Sequence, residues 1–374
     1  MSLSALNYPP LVALSGVGLG ASLPFIEKLA LSSPWQVVRI CSLASYAINF
    51  LSVRIPGRLD GSASDDPASA SEGAELSPRS GKTLVAPSGW AFAIWGPIFL
   101  GELVSVVAPF LLNESDPITD LLRKTSGPFI VAQLFQSLWC ASFRPKYKGV
   151  SRFVSAGMLG ATAYSLSRAH ATLSANSHLY SNLQYVVFFL PITLHFGWVT
   201  AAALVNLNGS VSLQENQSST IIKRVGHTSV ILATAIGVFI ATKRDAPVYA
   251  GVITWALSAV ADGMKKRLAA AAEEDQALRP LVGNKQNSAG GLDGAATEYM
   301  LERVGAIING LAAAFVAGTT SASSRKSFLT PYCSLYFSSN RSFVVIDILF
   351  KPLPSCAKPP TVISISLDHL RVVV

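Results

Sequence analysis

Charge is what this chain has least of. Asp, Glu, Lys and Arg make up 13% of its 374 residues, against about 25% in soluble domains. Cysteine is also scarce: Cys41, Cys140, Cys333 and Cys356 lie far apart, which excludes a disulfide framework or a Cys-rich metal site. No P-loop, His-Glu-x-x-His, Gly-x-Ser-x-Gly or Cys-x-x-Cys occurs, so the usual signatures of phosphate transfer, zinc proteolysis, serine hydrolysis and thiol exchange are missing. Gly16-Val-Gly18-Leu-Gly20 has the wrong spacing for a dinucleotide loop and no strand before it. The N-terminus lacks a basic stretch ahead of its first apolar run, and no Arg precedes Arg39. A cleaved signal peptide is therefore only weakly supported, and an Arg-rich transit peptide is not expected.

Hydrophobic residues, by contrast, make up half the chain, with a mean hydropathy of +0.43. This composition predicts an all-α, multi-pass transmembrane helical bundle with the lipid bilayer as its solvent. The net charge of +8 sits in short loops between apolar runs, a placement that fits membrane topology better than nucleic-acid binding. Seven spans are expected, at 35–53, 89–112, 128–143, 153–167, 183–207, 225–242 and 248–264, the third and fourth short, which suits little tilt or a thin bilayer. Pro97 and Pro191 are expected to kink the second and fifth.

Residues 1–35 read as a peripheral or re-entrant segment, because the apolar run 9–25 is short and contains Pro24. Residues 36–208 form the five-helix part, interrupted by a Ser-, Asp-, Gly- and Pro-rich stretch, 54–86, whose composition predicts disorder. Residues 209–267 add two spans. Within 268–318, an amphipathic run to 278 and an apolar run at 304–318 are expected to be interfacial, and 319–374 reads as a poorly structured tail. Loop cations number thirteen on the side of Arg54, Arg144 and Lys265 and six on the side of Arg123 and Lys243. That asymmetry predicts a C-terminus in the cytosol or its equivalent.

The most distinctive stretch is Ser88 to Glu102. At ~100° per residue, Phe92, Trp95, Phe99 and Glu102 share one helical face. A carboxylate at membrane depth belongs against a bundle interior or watery cavity. Similar faces recur. Gln133, Gln136 and Trp139 align on the third span, His195, Trp198 and Asn206 on the fifth, and Trp255, Ser258 and Asp262 on the seventh. Trp95, Trp198 and Trp255 read as deep, whereas Trp90 and Trp139 sit near segment ends, where an interfacial belt would place them. Gln133 and Ser258 read as interhelical glue. His195 alone reads more readily as a satisfied core histidine than as a ligand. Asp262, one turn from Lys265 and Lys266, reads as an interface residue, and for Glu102 a ligand or proton role stands level with a structural one. Indole faces with polar groups at their edge would suit a planar amphipathic ligand.

Three blocks in order resemble the TspO/translocator-protein family of tryptophan-rich sensory membrane proteins. Trp90-Ala-Phe92-Ala-Ile-Trp95 looks like its second-helix Trp-x-Phe-x-x-Trp. Gln136-Ser-Leu-Trp139-Cys-Ala-Ser-Phe143 is similar to its third-helix Asn-x-x-Trp-x-x-x-Phe, and Trp198 with Asn206 matches its fifth-helix spacing. The resemblance covers about 35–208. It implies a five-helix bundle whose cavity binds a porphyrin, haem or a sterol, with Trp90, Phe92, Trp95, Phe99, Glu102, Gln136, Trp139, His195, Trp198 and Asn206 as candidate ligand-binding residues. Ala93, Phe99 and Gln136 replace the Pro, Tyr and Asn common in the family, and loss of the tyrosine hydroxyl removes a polar contact to a porphyrin.

The expectation is therefore a non-enzymatic membrane protein that binds, senses or transports a hydrophobic planar small molecule. No cofactor, metal or nucleic-acid partner is required, and a homodimer is left open. The rival readings are a proton-coupled secondary transporter using Glu102 and Asp262, and a membrane scaffold without ligand. A porphyrin-degrading enzyme comes last.

Overall fold

The computed structural model describes residues 3–53, 83–142, 146–215, 217–278, 295–323, 333–339, 342–348 and 371–373. The chain divides into two units, Met1–Gly318 and Thr319–Val374. The first is helical: α1 (Pro9–Ser32), α2 (Trp35–Ser52), α3 (Trp95–Val107), α4 (Pro117–Ala141), α5 (Phe153–Ala175), α6 (Leu190–Ser212), α7 (Ser219–Lys243), α8 (Pro247–Leu278) and α9 (Ala295–Ser323). This bears out the all-α membrane bundle.

Helices α2 to α6 close a ring. The α2 helix packs on α3 and α4, α3 on α6, α6 on α5, and α5 on α4. Outside the ring, α1 lies on α4, while α7 and α8 pack on each other and on α6. The α9 helix lies on α7 and α8. Thr254 donates to the Ala306 carbonyl at 3.2 Å, and Asn309 to the Thr234 carbonyl at 3.4 Å. Many large apolar side chains point outward, among them Leu14, Val17, Leu100, Leu111, Ile231 and Phe239. A soluble domain would hide them, but lipid tails solvate them.

Several helices differ in extent from the apolar runs. Among the described residues, five stretches are long and apolar enough to span a membrane: Pro9–Ser32, Gly89–Leu111, Asn182–Ser212, Ser219–Lys243 and Glu298–Gly318. The first and last contain the runs read as peripheral or interfacial and are longer than those runs. Pro24 is accommodated inside a 24-residue helix, and the short run at 304–318 is extended toward its N-terminus by residues whose carboxylates, Glu298 and Glu302, are buried. The α4 and α5 helices have 25 and 23 residues, not the short spans expected. They continue through polar residues such as Thr119, Thr125 and His170, which the bundle buries. The seventh span and the amphipathic run after it form one 32-residue helix.

Neither proline kinks a span. A 3-10 turn, Gly89–Ile94, leads into α3, so Pro97 falls in the first helical turn, where a missing N–H leaves no bond unmade. Pro191 likewise enters α6 at its start, after the π-turn Tyr185–Phe189. Between them, α3 and α6 approach so closely that a Cβ on Gly101 would lie 2.8 Å from Pro191 Cγ.

Of the stretch read as a disordered linker, residues 54–82 lie outside the described residues, whereas 83–86 are buried. Arg267 clamps their start, donating to the Thr83 carbonyl and, at 2.9 Å, to the Leu84 carbonyl. In the second unit, read as a poorly structured tail, Cys333–Ser339, Ser342–Ile348 and Arg371–Val373 pair antiparallel in that order. Cys333 stands opposite Ile348, and Phe343 opposite Val373.

Candidate functional site

At mid-height the ring is crossed by a chain of buried polar side chains, one from each of four helices. Asn49 on α2 donates to Gln133 Oε1 on α4 at 2.6 Å. Gln133 Nε2 donates to Glu102 Oε2 on α3 at 3.1 Å. Glu102 Oε1 meets His195 Nδ1 on α6 at 2.6 Å. All four side chains are fully buried. One proton must lie between Nδ1 and Oε1 for that contact to be a hydrogen bond, and together these bonds satisfy a carboxylate that lipid would exclude. His195 is therefore a paired histidine, with its second nitrogen, Nε2, buried and unpartnered.

On the Trp95 side of this chain lies an aromatic layer. Trp95 stacks on Phe99, one helical turn on, at 5.3 Å between ring centres. It meets His195 edge-on at 5.7 Å and Trp198 at 6.3 Å. Phe92 touches Trp198 edge-on at 5.7 Å, although its other side is exposed. Phe50 closes on Phe99 from α2, and Tyr46 donates to the Phe99 carbonyl at 2.9 Å. Edge-to-face pairs of this kind hold rings at fixed angles and add ~0.5–1.5 kcal/mol each beyond their burial.

Trp139 forms a neighbouring group. Its indole N–H reaches Asn206 Oδ1 at 3.5 Å, and Ser155 on α5 donates to the same oxygen. Gln136, one turn before Trp139, is fully buried, and neither its Oε1 nor its Nε2 has a partner. The indole N–H of Trp198 is also buried without an acceptor. Buried polar groups are almost always hydrogen-bonded, and leaving one unmet costs about 1–3 kcal/mol. Four such atoms lie on Gln136, His195 and Trp198, and the last two residues touch Trp95 in the aromatic layer.

The structure separates Trp90 from this group. The Trp90 ring stands edge-on to Trp255 at 4.7 Å, and its N–H donates to Asp262 Oδ2 at 3.0 Å. Ser88 and Lys266 hold the same oxygen at 2.6 and 2.7 Å. Trp90 and Trp255 are 41% and 39% exposed. Trp255 thus faces away from the aromatic layer, because α8 lies outside the ring. Trp139 is 9% exposed. Among the described residues, no group of three or more His, Cys, Asp or Glu is arranged to hold a metal ion.

Asn49 is the residue that sequence reasoning passed over. A lone asparagine in an apolar span was its available signal, because such a side chain needs a partner on another helix. Gln133, read as glue, does bridge two helices, but its partner is Glu102. Ser155 carried no signal.

A family model described as TSPO-like protein matches residues 45–272, more than half of the chain. The match runs past residue 208, where the motif-based resemblance ended, and takes in α7 and most of α8. Comparison with curated proteins and with solved structures finds no significant match. On the family match, with the closed ring and its aromatic layer, the chain belongs to the TSPO-like protein family.

Proposed function

We propose that this membrane protein binds a hydrophobic planar molecule, a tetrapyrrole or a sterol, among Phe92, Trp95, Phe99, Gln136, His195 and Trp198, and acts by holding or passing on that ligand without catalysis. One observation carries the reading: four buried, unpartnered polar atoms beside a layer of fixed aromatic rings. The rings offer faces for stacking, and Gln136, His195 Nε2 and the Trp198 N–H offer both donors and acceptors to a polar edge. A porphyrin carboxylate or a sterol hydroxyl would meet those atoms. The Glu102–His195 pair fixes which imidazole nitrogen is left for the ligand. The excess of basic loop residues on the side of Arg54, Arg144 and Lys265 supports a cytosol-facing orientation for that side of the bundle.

The test is tryptophan quenching of the purified protein on titration with protoporphyrin IX, haem or a sterol. Saturable binding should weaken about tenfold or more with Trp95→Ala or Trp198→Ala, the loss of one stacked aromatic contact and its hydrogen bond. Binding of the same strength in both variants would end the assignment.

A further inference from the structure

On the other side of the Asn49–Gln133–Glu102–His195 chain, the ring is not filled. A half-open groove lies between α2, α3, α4 and the start of α6, with an enclosed volume of about 50 Å³ and about 450 Å³ when the open space at its mouth is included. Its depth is lined by Val38, Val106, Leu122, Phe129, Phe188 and Ile192. Four hydroxyls in the wall are already satisfied by backbone carbonyls. Ser42 donates to Val38, Ser105 to Val187, Thr125 to Leu122 and Ser126 to Arg123. The wall is therefore apolar toward any occupant.

Two lining groups break that rule, and both are donors. The Trp35 indole N–H is buried, in a residue 4% exposed, and has no acceptor. Arg39, one turn further along α2, lies over the Phe110 ring at 4.8 Å and bonds only to neutral oxygens, of Gln36 and Pro109. Two neighbouring cations are neutralised. Arg123, stacked over Trp35 at 5.6 Å, pairs with Glu114 at 2.8 Å, and Lys124 pairs with Asp120 at 2.6 Å. Among the described residues, Arg39 has no carboxylate partner.

An apolar recess closed by an unsatisfied N–H and an unpaired guanidinium complements one ligand chemistry: an apolar body ending in an anion. The recess is also cut off from the aromatic layer by the buried polar chain, so the two compartments cannot share a rigid planar ligand. We propose that this hollow takes a single-chain amphiphile with an anionic head, its chain against Phe129 and Ile192 and its head on Arg39 and the Trp35 N–H. A fatty-acid carboxylate and a lysophospholipid phosphate share that chemistry.

The test uses the full chain in nanodiscs of phosphatidylcholine, titrated with oleate, oleoyl lysophosphatidate and, as the uncharged control, oleyl alcohol. Binding is read by thermal stabilisation and by native mass spectrometry. At least one anion should bind saturably, with oleyl alcohol about tenfold weaker or worse, and Arg39→Gln should erase the difference. Which anion prevails identifies the source, free fatty acid or membrane lipid. Val106→Trp, which fills the recess, should abolish anion binding and leave protoporphyrin quenching intact. Should Arg39→Gln fail to fold, Val106→Trp and the alcohol control still decide. Oleyl alcohol binding as tightly as both anions, or anion binding that survives the filled recess, would overturn the proposal. Either result would leave the reading of the aromatic layer standing.

Discussion

The indole N–H of Trp90 donates to the carboxylate of Asp262 at 3.0 Å, joining residues 172 positions apart in the chain. Through this bond, with Ser88 and Lys266 on the same oxygen, the entry to α3 is fastened to α8. The backbone joins in, as Ser88 N–H donates to the Ala259 carbonyl at 2.8 Å and the Trp255 indole to the Ala91 carbonyl at 3.0 Å. The helices beyond the five-membered ring are thus part of the structure that positions Phe92 and Trp95. This explains physically why the family match extends through residue 272.

Asp262→Asn should therefore lower stability modestly, by about 1 kcal/mol, since the carboxylate is partly exposed and its ion pair with Lys266 is screened by solvent. Thermal unfolding in detergent measures the loss. Ligand affinity should fall as well if the clasp sets the position of the 3-10 turn, whereas Lys266→Gln should leave affinity unchanged.

Glu102→Ala should be far more damaging. It strands His195 Nδ1 and Gln133 Nε2 in a fully buried site. Removing one member of a buried charged network costs about 3–5 kcal/mol. Glu102→Gln keeps an acceptor for one neighbour and should recover much of that loss. Equal destabilisation by the two variants, measured by denaturant unfolding, would show that shape and not hydrogen bonding governs the position.

Gly101→Val tests the crossing of α3 and α6. The new Cβ would meet Pro191 Cγ at 2.8 Å and Cβ at 3.0 Å, and a proline ring at a helix start cannot swing away. Overpacking of this kind costs ~1–3 kcal/mol. Because the same two helices carry Trp95 and Trp198, protoporphyrin quenching should weaken together with stability. Gly96→Ala, which meets nothing within 4 Å, is the matched control and should be silent in both assays.

Asn206→Ala removes the oxygen shared by Trp139 and Ser155. The expected loss is about 1 kcal/mol, near the average for interhelical bonds in membranes. Asn206→Asp should restore the acceptor but bring a charge into the bundle, and should be worse than Asn206→Ala in a thermal melt.

Periodicity alone made the aromatic stripe legible. Trp95, Phe99 and Glu102 recur at helical spacing, as do His195 and Trp198, and a helix of any length would align them. Composition was enough to point to a membrane bundle, because a chain half hydrophobic and this poor in charge is best solvated by lipid. The ends of α4, α5 and α9 were not legible. Their polar residues stop an apolar run on paper but are buried against neighbours in the fold. The prolines misled for a related reason. Pro97 and Pro191 look central only if the span is assumed to be one α-helix from end to end, and short 3-10 and π turns precede each.

What the residues by themselves determined, then, is the medium, the helices and the chemistry each helical face carries. Those properties follow from side-chain polarity and a 3.6-residue repeat, both local. Partnership was decided only by the tertiary structure. Glu102 meets His195 and Gln133 while Asp262 meets Trp90, and the same ring is aromatic on one side of the Glu102 layer and hollow on the other. Such pairings depend on which helices adjoin and at what height, which long-range packing sets and no single span encodes.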